Sequence, residues 1–401
     1  MRRILRTAVT VLALVGTSAL LAGCGSPGSA VAPTETTQRA PSPSPAPSPT
    51  ASTPAEWAAE RVAEMSVEQK AASLLMLHAP GTDPGAMREL IDQGVAGVIL
   101  MGDNIPADAA ALGELTAALQ ADPEAATLIG IDQEGGIVSR IDWDPAPAPW
   151  DLVGQPPAAT REAFASRAGV LAASGVNVNF GIVADVTDDP GSFIYDRVLG
   201  TEPVSAAERV AAAVEGERGL VASTVKHFPG HGAAPGDSHV SVPSAPLGID
   251  DWRAGPAAPF RAAAEAEVEL VMTGHLAYPA VDAAPASLSA EWHRILRDEL
   301  GFDGVVVTDD MLMLQHNGLA EYRDPGENAI RAVAAGGDLL LYVLPADPSE
   351  FGISVDGLAA SIAGAVESGR IPAARLDDAA TRVLELRREL AEVAGEGDGG
   401  E

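Results

Sequence analysis

Cysteine is almost absent from this sequence of 401 residues, in which Cys24 is the only one. A single thiol cannot form an internal disulfide, and the C-x-x-C pattern of redox and zinc sites does not occur. Aromatic residues are also scarce, at 4% of the chain, so a folded core has to be built mainly from Val, Leu, Ile and Ala. With 47% apolar and 20% charged residues, the composition excludes a disordered or collagen-like chain and fits one large domain or two ordinary ones.

Basic residues are few compared with acidic ones. The chain has 25 Lys and Arg against 56 Asp and Glu, which gives a net charge of −31 at pH 7. A protein with this charge is repelled by the phosphates of DNA and RNA and by anionic lipid headgroups. We therefore expect no nucleic-acid partner.

The first 23 residues have the pattern of a bacterial export signal. Three arginines lie within the first six positions, and the apolar run that follows, residues 9–21, is too short to span a hydrocarbon core of about 30 Å comfortably. The end of this segment, Leu-Ala-Gly-Cys at 21–24, resembles the lipobox of bacterial lipoproteins, in which the cysteine is lipidated and becomes the mature N-terminus. An ordinary secretory signal with an incidental cysteine is the alternative. We predict a signal peptide over 1–23 and a lipid anchor on Cys24, which would be the chain's only membrane contact, on the outer face of the cytoplasmic membrane.

The next segment, residues 24–54, contains eight of the 31 prolines and no aromatic residue. Repeated Ser-Pro and Ala-Pro steps bury little apolar area and favour extended, solvated backbone, so we predict a semi-rigid linker. The folded body is predicted over residues 55–391. The last segment, 392–401, is rich in Gly, Glu and Asp, and we expect it to be a disordered acidic tail.

Short apolar runs rich in β-branched residues recur through the folded body and alternate with stretches rich in Ala, Glu, Leu and Arg. The predicted strands are Ser73–His78, Gly94–Met101, Ala126–Asp132, Val176–Asp185, Leu220–His227, Leu270–His275, Gly304–Asp309 and Asp338–Val343. The predicted helices are Asp83–Gln93, Ala107–Gln120, Ala159–Ala173, Ser205–Arg218, Trp252–Ala264, Ala290–Leu300, Pro325–Ala335 and Val355–Ser368.

Continuous apolar strands indicate burial on both faces, as in a parallel sheet covered by helices. Eight strand–helix units fit a single (β/α)₈ TIM barrel. An open doubly-wound sheet is the alternative, but no G-x-G-x-x-G follows an early strand. We predict the barrel.

Polar residues follow these apolar runs strand after strand. The polar residues at strand ends are Asp132, Asp185, Lys226, His227, His275 and Asp309. Aspartates at such positions often cap the following helix, but capping does not account for a Lys and two His at the same rim. Because the active-site groups of a barrel lie at the carboxyl ends of its strands, we predict one site there.

The densest polar stretch is Lys-His-Phe-Pro-Gly-His-Gly at 226–232, followed by Asp-Ser-His at 237–239. The Gly and Pro residues indicate a loop. Asp237 and His239 are two residues apart, so the carboxylate can contact the imidazole, orient it and stabilise its protonated form. Such a histidine can hold a proton near neutral pH and give it to a leaving group.

Two further segments carry carboxylates. In Val-Val-Val-Thr-Asp-Asp at 305–310, Asp309 leaves a buried strand and is a candidate nucleophile, because carboxylates attack the anomeric carbon in retaining glycosidases. Asp310 is interpreted as a support or helix cap. In Gly-Ile-Asp-Gln-Glu-Gly-Gly at 130–136, the glycines let the backbone approach a ligand closely. The carboxylate of Asp132 can accept hydrogen bonds from two sugar hydroxyls, and Arg140 follows eight residues later.

Taken together, these three segments resemble glycoside hydrolase family 3, and more narrowly its bacterial β-N-acetylglucosaminidase (β-N-acetylhexosaminidase) branch. The similarity extends from about residue 62 to about residue 390. The Asp-Ser-His that follows Lys-His-Phe-Pro-Gly-His-Gly is highly specific to that branch. The short stretch after Asp309 is typical of its single-domain form.

The resemblance implies a retaining double displacement. It implies that Asp309 is the nucleophile and that His239, on a mobile loop and assisted by Asp237, is the acid/base. The residues that it implies for holding the N-acetylglucosamine ring are Asp132, Arg140, Arg197, Lys226 and His227. No cofactor or metal is expected, and peptidoglycan-derived saccharides or muropeptides are the expected partners.

Alternatives to this interpretation remain at the level of the sequence. His227, His231 and His239 lie within thirteen residues and invite a zinc site, but His231 lies in a tight turn where a structural role fits better. His275 is interpreted as a support rather than a catalytic group. The same machinery could transfer the sugar to phosphate, because a protonated histidine tolerates an approaching anion better than a carboxylate would. A lipoprotein that only binds cell-wall fragments, without catalysis, is the third hypothesis.

Overall fold

The computed structural model describes residues 52–398. The predicted signal peptide over 1–23, the lipidation site Cys24 and the linker up to residue 51 therefore lie outside the described residues. Within the described residues, no helix combines the length and hydrophobicity that a membrane crossing requires.

Eight parallel strands and fourteen α-helices make up residues 52–398. The strands are β1 (Leu75–Leu77), β2 (Gly97–Leu100), β3 (Leu128–Ile131), β4 (Val178–Val183), β5 (Ala222–Phe228), β6 (Leu270–Thr273), β7 (Val305–Thr308) and β8 (Leu340–Tyr342). The helices are α1 (Pro54–Glu64), α2 (Val67–Ala72), α3 (Pro84–Asp92), α4 (Ala109–Leu119), α5 (Pro149–Leu152), α6 (Pro157–Ala173), α7 (Pro203–Glu217), α8 (Ile249–Ala254), α9 (Ala257–Glu265), α10 (Ala290–Arg294), α11 (Leu312–His316), α12 (Pro325–Ala335), α13 (Val355–Glu367) and α14 (Ala373–Asp398).

The strands form one sheet in which each strand pairs with its neighbours in the chain and β1 also pairs with β8. The remaining gap, between β7 and β8, is bridged at Val307 and Leu339, with the Thr308 N–H donating to the Leu339 carbonyl at 3.0 Å. Every strand residue is buried, as expected for strands covered on both faces. The predicted (β/α)₈ barrel and all eight predicted strands are confirmed.

Local sequence explains where several helices begin. Thr53 and Ser66 form capping boxes with Glu56 and Gln69, which satisfy free backbone N–H groups at the starts of α1 and α2. Asp and Ser side chains cap other helices in the same way. These caps are Asp83 for α3, Asp108 for α4, Asp324 for α12 and Ser354 for α13.

The C-terminal helix corrects one predicted boundary. Residues 392–401 are predicted as a disordered tail, but α14 continues to Asp398, so the boundary at 391 falls inside a helix. The long helix packs along α1, where the guanidinium of Arg388 lies 5.4 Å from the Trp57 ring centroid. The Gly and acidic residues of the segment are weak or neutral helix formers, and continuation from a packed helix outweighs this preference.

Candidate active site

A cavity of about 390 Å³ opens at the carboxyl ends of the strands. Polar residues from the ends of β3, β4, β5 and β7 and from the loops that follow these strands meet there. The polar residues that line the cavity are Asp132, Glu134, Arg140, Arg197, Lys226, His227, Ser238, His239, Asp309 and Asp310. Apolar side chains complete its wall, and these include Met101, Ile137, Phe193, Met272 and Met313.

A network of buried ion pairs forms one side of the cavity. Lys226, near the carboxyl end of β5, places its Nζ 2.7 Å from Asp132 Oδ1 and 2.7 Å from Glu134 Oε1. Arg197, at the end of a 3₁₀ turn, pairs with Glu134 through two bonds, Nε to Oε2 at 2.9 Å and Nη2 to Oε1 at 2.7 Å. Arg140 lies farther out, with its Nη2 3.5 Å from Asp132 Oδ2.

The charges of this network stabilise one another. Burial opposes ionisation of Asp132 and Glu134, but Lys226 and the neighbouring arginines outweigh it and hold the pKa of both carboxyls below the usual range. Burial likewise opposes the charge of Lys226, and the two carboxylates outweigh it and raise the Lys226 pKa. Anions and cations therefore stand side by side in the cavity at neutral pH. They can accept from and donate to the hydroxyl groups of one sugar.

A further buried carboxylate, Asp185, orients the His227 ring at the end of β5. Its Oδ2 lies 2.8 Å from His227 Nδ1, and it also accepts hydrogen bonds from the backbone N–H groups of His227 and His231. Burial opposes ionisation of Asp185, but the two histidines and these bonds outweigh it and lower its pKa. The bond at Nδ1 directs His227 Nε2 towards Arg197 Nη2, at 3.4 Å.

Asp309 follows β7 directly and borders the cavity. Its Oδ1 accepts from the Asp310 N–H at 2.8 Å, and its own N–H donates to the Thr273 carbonyl of β6 at 2.9 Å. Burial raises the pKa of Asp309, but the nearby His227, His275, Asp310 N–H and Lys226 outweigh it, so the net shift is downward. The carboxylate is therefore ionised at neutral pH, as a nucleophile requires.

The neighbours of Asp309 have supporting positions. Asp310 accepts hydrogen bonds from the backbone N–H groups of Leu312 and Val343, which agrees with its predicted role as a support or cap. Burial raises the pKa of Asp310 to about 7.

His275 is buried between Ser287 and Asp310. Its Nδ1 lies 2.7 Å from Ser287 Oγ, and its Nε2 lies 2.9 Å from the Asp310 carbonyl oxygen. Its position therefore fits the predicted support role.

His239 lies at the mouth of the cavity, on the loop after β5. Its Nδ1 is 2.7 Å from Asp237 Oδ1, so the predicted contact between these two side chains is present. The His239 side chain is 59% exposed and leaves Nε2 free of the Asp237 bond. Burial opposes ionisation of Asp237, but the hydrogen bonds and charge of His239 together outweigh it and lower the Asp237 pKa.

The structure brings the predicted site residues Asp132, Arg140, Arg197, Lys226, His227, His239 and Asp309 to one cavity. Asp237 contacts this set through His239. Glu134, for which the sequence predicts no role, and Asp185, which it predicts only as a polar residue at the strand-end rim, are central to the charge network. The signal for Glu134 was its place two residues after Asp132 in a segment that was already singled out. The sequence predicts Asp185 at a strand end, but spacing along the chain does not predict its partners.

The histidines at positions 227, 231 and 239 do not share a hydrogen-bond partner for their rings. His227 and His239 bind different carboxylates, Asp185 and Asp237, and the His231 ring makes no hydrogen bond to the described residues. Within residues 52–398, no group of three or more His, Cys, Asp or Glu side chains is arranged to hold a metal ion.

Comparison with known proteins identifies the family. The model of the glycosyl hydrolase family 3 N-terminal domain matches residues 66–386. The chain belongs to glycosyl hydrolase family 3. The family predicted from the motifs is thus confirmed.

Individual relatives agree with this assignment. A beta-hexosaminidase from Thiobacillus denitrificans is 38% identical over 254 residues, which cover 60% of this chain and 70% of that protein. The structure of a family 3 beta-N-acetylglucosaminidase from Paenibacillus sp. superposes with a TM-score of 0.75 at 34% identity, over 82% of this chain and 63% of that one. A beta-N-acetylhexosaminidase from Beutenbergia cavernae superposes with a TM-score of 0.68 at 29% identity, over 81% of this chain and 99% of that one. This chain therefore spans less than two thirds of the Paenibacillus enzyme and almost all of the Beutenbergia enzyme.

Proposed function

We propose that this protein is a retaining exo-β-N-acetylglucosaminidase that removes terminal β-linked N-acetylglucosamine from peptidoglycan fragments. Membership of family 3 supports a glycoside hydrolase. A relative that is 38% identical over 60% of this chain carries the name beta-hexosaminidase, which supports the β-N-acetylhexosaminidase class.

One observation carries the proposed chemistry. An ionised carboxylate, Asp309, and a carboxylate-bound imidazole, His239, line the same cavity, at its inner and outer ends. A retaining glycosidase needs one group to attack the anomeric carbon and a second to protonate the departing oxygen. Asp309 suits the first role because its surroundings hold its pKa below the usual range, so that the carboxylate is ionised at neutral pH. His239 suits the second because Asp237 fixes Nδ1 and leaves Nε2 for the substrate.

The reaction then proceeds in two displacements. In the first, Asp309 forms a bond to C1 of the sugar while the C1–oxygen bond to the aglycone breaks, and His239 gives its proton to that oxygen. In the second, His239 takes a proton from water as the water oxygen attacks C1, which releases Asp309 and the free sugar. The ion pairs of Asp132, Glu134, Lys226 and Arg197 would hold the ring hydroxyls during both steps.

The proposed substrate and location rest on the sequence. A lipid anchor on Cys24 and a proline-rich linker over 24–54 would hold the enzyme at the outer face of the cytoplasmic membrane, where cell-wall fragments carry β-linked N-acetylglucosamine. A test is to label growing cells of the source organism with a lipid probe and map the modified peptide. Attachment at Cys24 supports the location, and an unmodified Cys24 in the exported protein contradicts it.

The activity is tested with 4-nitrophenyl β-N-acetylglucosaminide and the corresponding glucoside. Replacing Asp309→Asn should lower kcat on the order of 10⁴-fold or more, and His239→Ala should lower it about 10²- to 10⁴-fold. Matched controls are Asp356→Asn and His316→Ala, which change exposed residues on other elements and should leave the rate unchanged. Rates like the wild type in both site variants would rule out the assigned mechanism.

Two additions to this assay separate the competing functions. A fluorinated slow substrate should leave its label on the peptide that contains Asp309, and a label elsewhere contradicts the nucleophile. Addition of phosphate to the assay should not change the product. Accumulation of N-acetylglucosamine 1-phosphate would instead identify a phosphorylase. Saccharide binding without turnover would favour a protein that only binds cell-wall fragments.

A further inference from the structure

Phe193 is a large apolar side chain that remains 38% exposed at the mouth of the cavity. It lies in the segment between β4 and α7, which belongs to the barrel and not to the loop that carries His239. The Phe193 and His239 ring centroids are 5.5 Å apart, and the two planes are inclined by 73°. This is the geometry of an edge-to-face aromatic contact.

The other side of Phe193 rests on fixed groups. The guanidinium carbon of Arg197 lies 5.6 Å from the Phe193 ring centroid, and Arg197 is itself held by Glu134. The His231 ring is 5.7 Å away and is buried, and its backbone N–H is bound to Asp185. Phe193 is therefore held in place by the buried ion-pair network of Glu134 and Arg197 that forms one side of the cavity.

The contacts of His239 with Asp237 and with Phe193 have different effects on the position of its ring. We define the acid/base loop as residues 232–239. Asp237 is part of this loop, so its bond to Nδ1 orients the imidazole within the loop but does not fix the loop to the barrel. Phe193 lies outside the loop, and its contact with the ring therefore ties the exposed imidazole to the barrel.

We propose that Phe193 is a positioning residue for the acid/base His239. It holds the imidazole over the cavity, where Nε2 can reach the departing oxygen of the substrate. The chemical part of this proposal rests on the proposed glycosidase function. Without the phenyl ring, the loop would spend more of its time in positions from which His239 cannot give a proton.

Proton donation matters most when the leaving group is basic, and this gives the proposal a distinctive signature. Phe193→Ala should lower kcat/KM about 3- to 10-fold for a methyl or disaccharide N-acetylglucosaminide, the size expected from the loss of one aromatic contact. With the 2,4-dinitrophenyl substrate, which departs without protonation, the loss should be less than about 2-fold for the first displacement. Phe193→Tyr keeps the ring and should restore the rate on both substrates.

A second measurement does not depend on turnover. Amide hydrogen exchange in residues 232–239 should become faster in Phe193→Ala than in the wild type and should return to the wild-type rate in Phe193→Tyr. Val204→Ala, which removes another exposed apolar side chain, is the matched control and should change neither exchange nor rate.

The outcomes are distinguishable. Equal losses on both substrates would mean that Phe193 acts on sugar binding through Arg197, and this would overturn the proposal. Unchanged rates together with unchanged exchange in the acid/base loop would also overturn it. A wild-type protein that hydrolyses no N-acetylglucosaminide would refute the proposed function, and the exchange measurement would still decide whether Phe193 fixes the loop.

Discussion

A buried charge in the site is stable only when a charge of opposite sign lies beside it. Glu134 shows this most directly. Its side chain is fully buried and binds both Lys226 and Arg197. A buried ion pair adds little net stability, but removal of one member leaves the other buried and uncompensated. The carboxylate of Glu134 is therefore needed for the two cations to point into the cavity without a large energetic cost.

This arrangement predicts the effect of Glu134→Ala. The free energy of unfolding should fall by about 3–5 kcal/mol, because Arg197 loses both of its bonds to the carboxylate. Urea unfolding followed by circular dichroism measures the change. Glu291→Ala breaks an ion pair with Arg294 on the surface and is the control, with no measurable change expected. A variant of Glu134 as stable as this control would contradict the role assigned to the network.

At the scale of secondary-structure elements, β4 and α7 position the strand end that carries Asp132. Asn179 of β4 accepts from the Gln133 N–H at 3.2 Å and donates to the Gln133 carbonyl at 3.3 Å. Its Nδ2 also donates to Glu217 Oε1, at the end of α7, at 2.6 Å. The residue between Asp132 and Glu134 is thus fixed by a side chain that a buried carboxyl group orients.

Glu217 makes the stability of the protein depend on pH. Burial raises its pKa from 4.5 to about 8. Between these two values the folded protein keeps a proton that the unfolded chain has released, so stability falls as pH rises. The stabilising contribution is complete below about pH 4.5 and is lost as pH rises through about 8, by at most about 1.4 kcal/mol per pH unit.

The Glu217→Gln variant should remove this dependence. Relative to the wild type, the variant's free energy of unfolding should become progressively larger between pH 5.5 and 8.5, because the wild type loses stability over this range. Chemical denaturation at several pH values gives the difference, and other titrating groups cancel in the comparison. Glu215→Gln changes an exposed carboxylate of the same helix and controls for the loss of charge. A difference that stays constant with pH would show that Glu217 ionises normally.

At the scale of the whole molecule, the barrel depends on closure between its last two strands. Buried Asp338 lies just before β8 and forms ion pairs with two arginines. Its Oδ2 is 2.6 Å from Arg297 Nη2, and its Oδ1 is 2.5 Å from Nη2 of Arg375 in α14. It also accepts from the Val306 N–H of β7 at 2.9 Å. One carboxylate therefore joins both strands of the seam to the C-terminal helix.

We expect Asp338→Ala to destabilise the entire barrel by about 3–5 kcal/mol, because two largely buried arginines lose their shared partner. The loss should appear as a lower midpoint of a single cooperative urea transition. Asp378→Ala breaks an exposed contact of the same Arg375 and should have little effect. If the two variants unfold at the same urea concentration, Asp338 does not hold the seam.

The sequence predicted the site best where the position of a residue along the chain also determines its position in space. In a parallel barrel all strands end at the same rim, so polar residues after apolar runs, such as Lys226 and Asp309, had to meet. The Asp237–His239 contact followed from a separation of two residues. Asn177 shows the limit, because no spacing in the sequence predicts that it binds Thr127 and Ile129 at the start of β3.

The sequence by itself determined the eight strand–helix units, the rim at which the polar groups collect, and the family. These are consequences of hydrophobic periodicity and local motifs, which act over a few residues. Only the tertiary structure decided that Glu134 joins Lys226 to Arg197, that Asp185 orients His227, and that Phe193 touches His239. Such contacts connect residues from different strand–helix units, and their partners depend on side-chain directions that are set when the barrel closes.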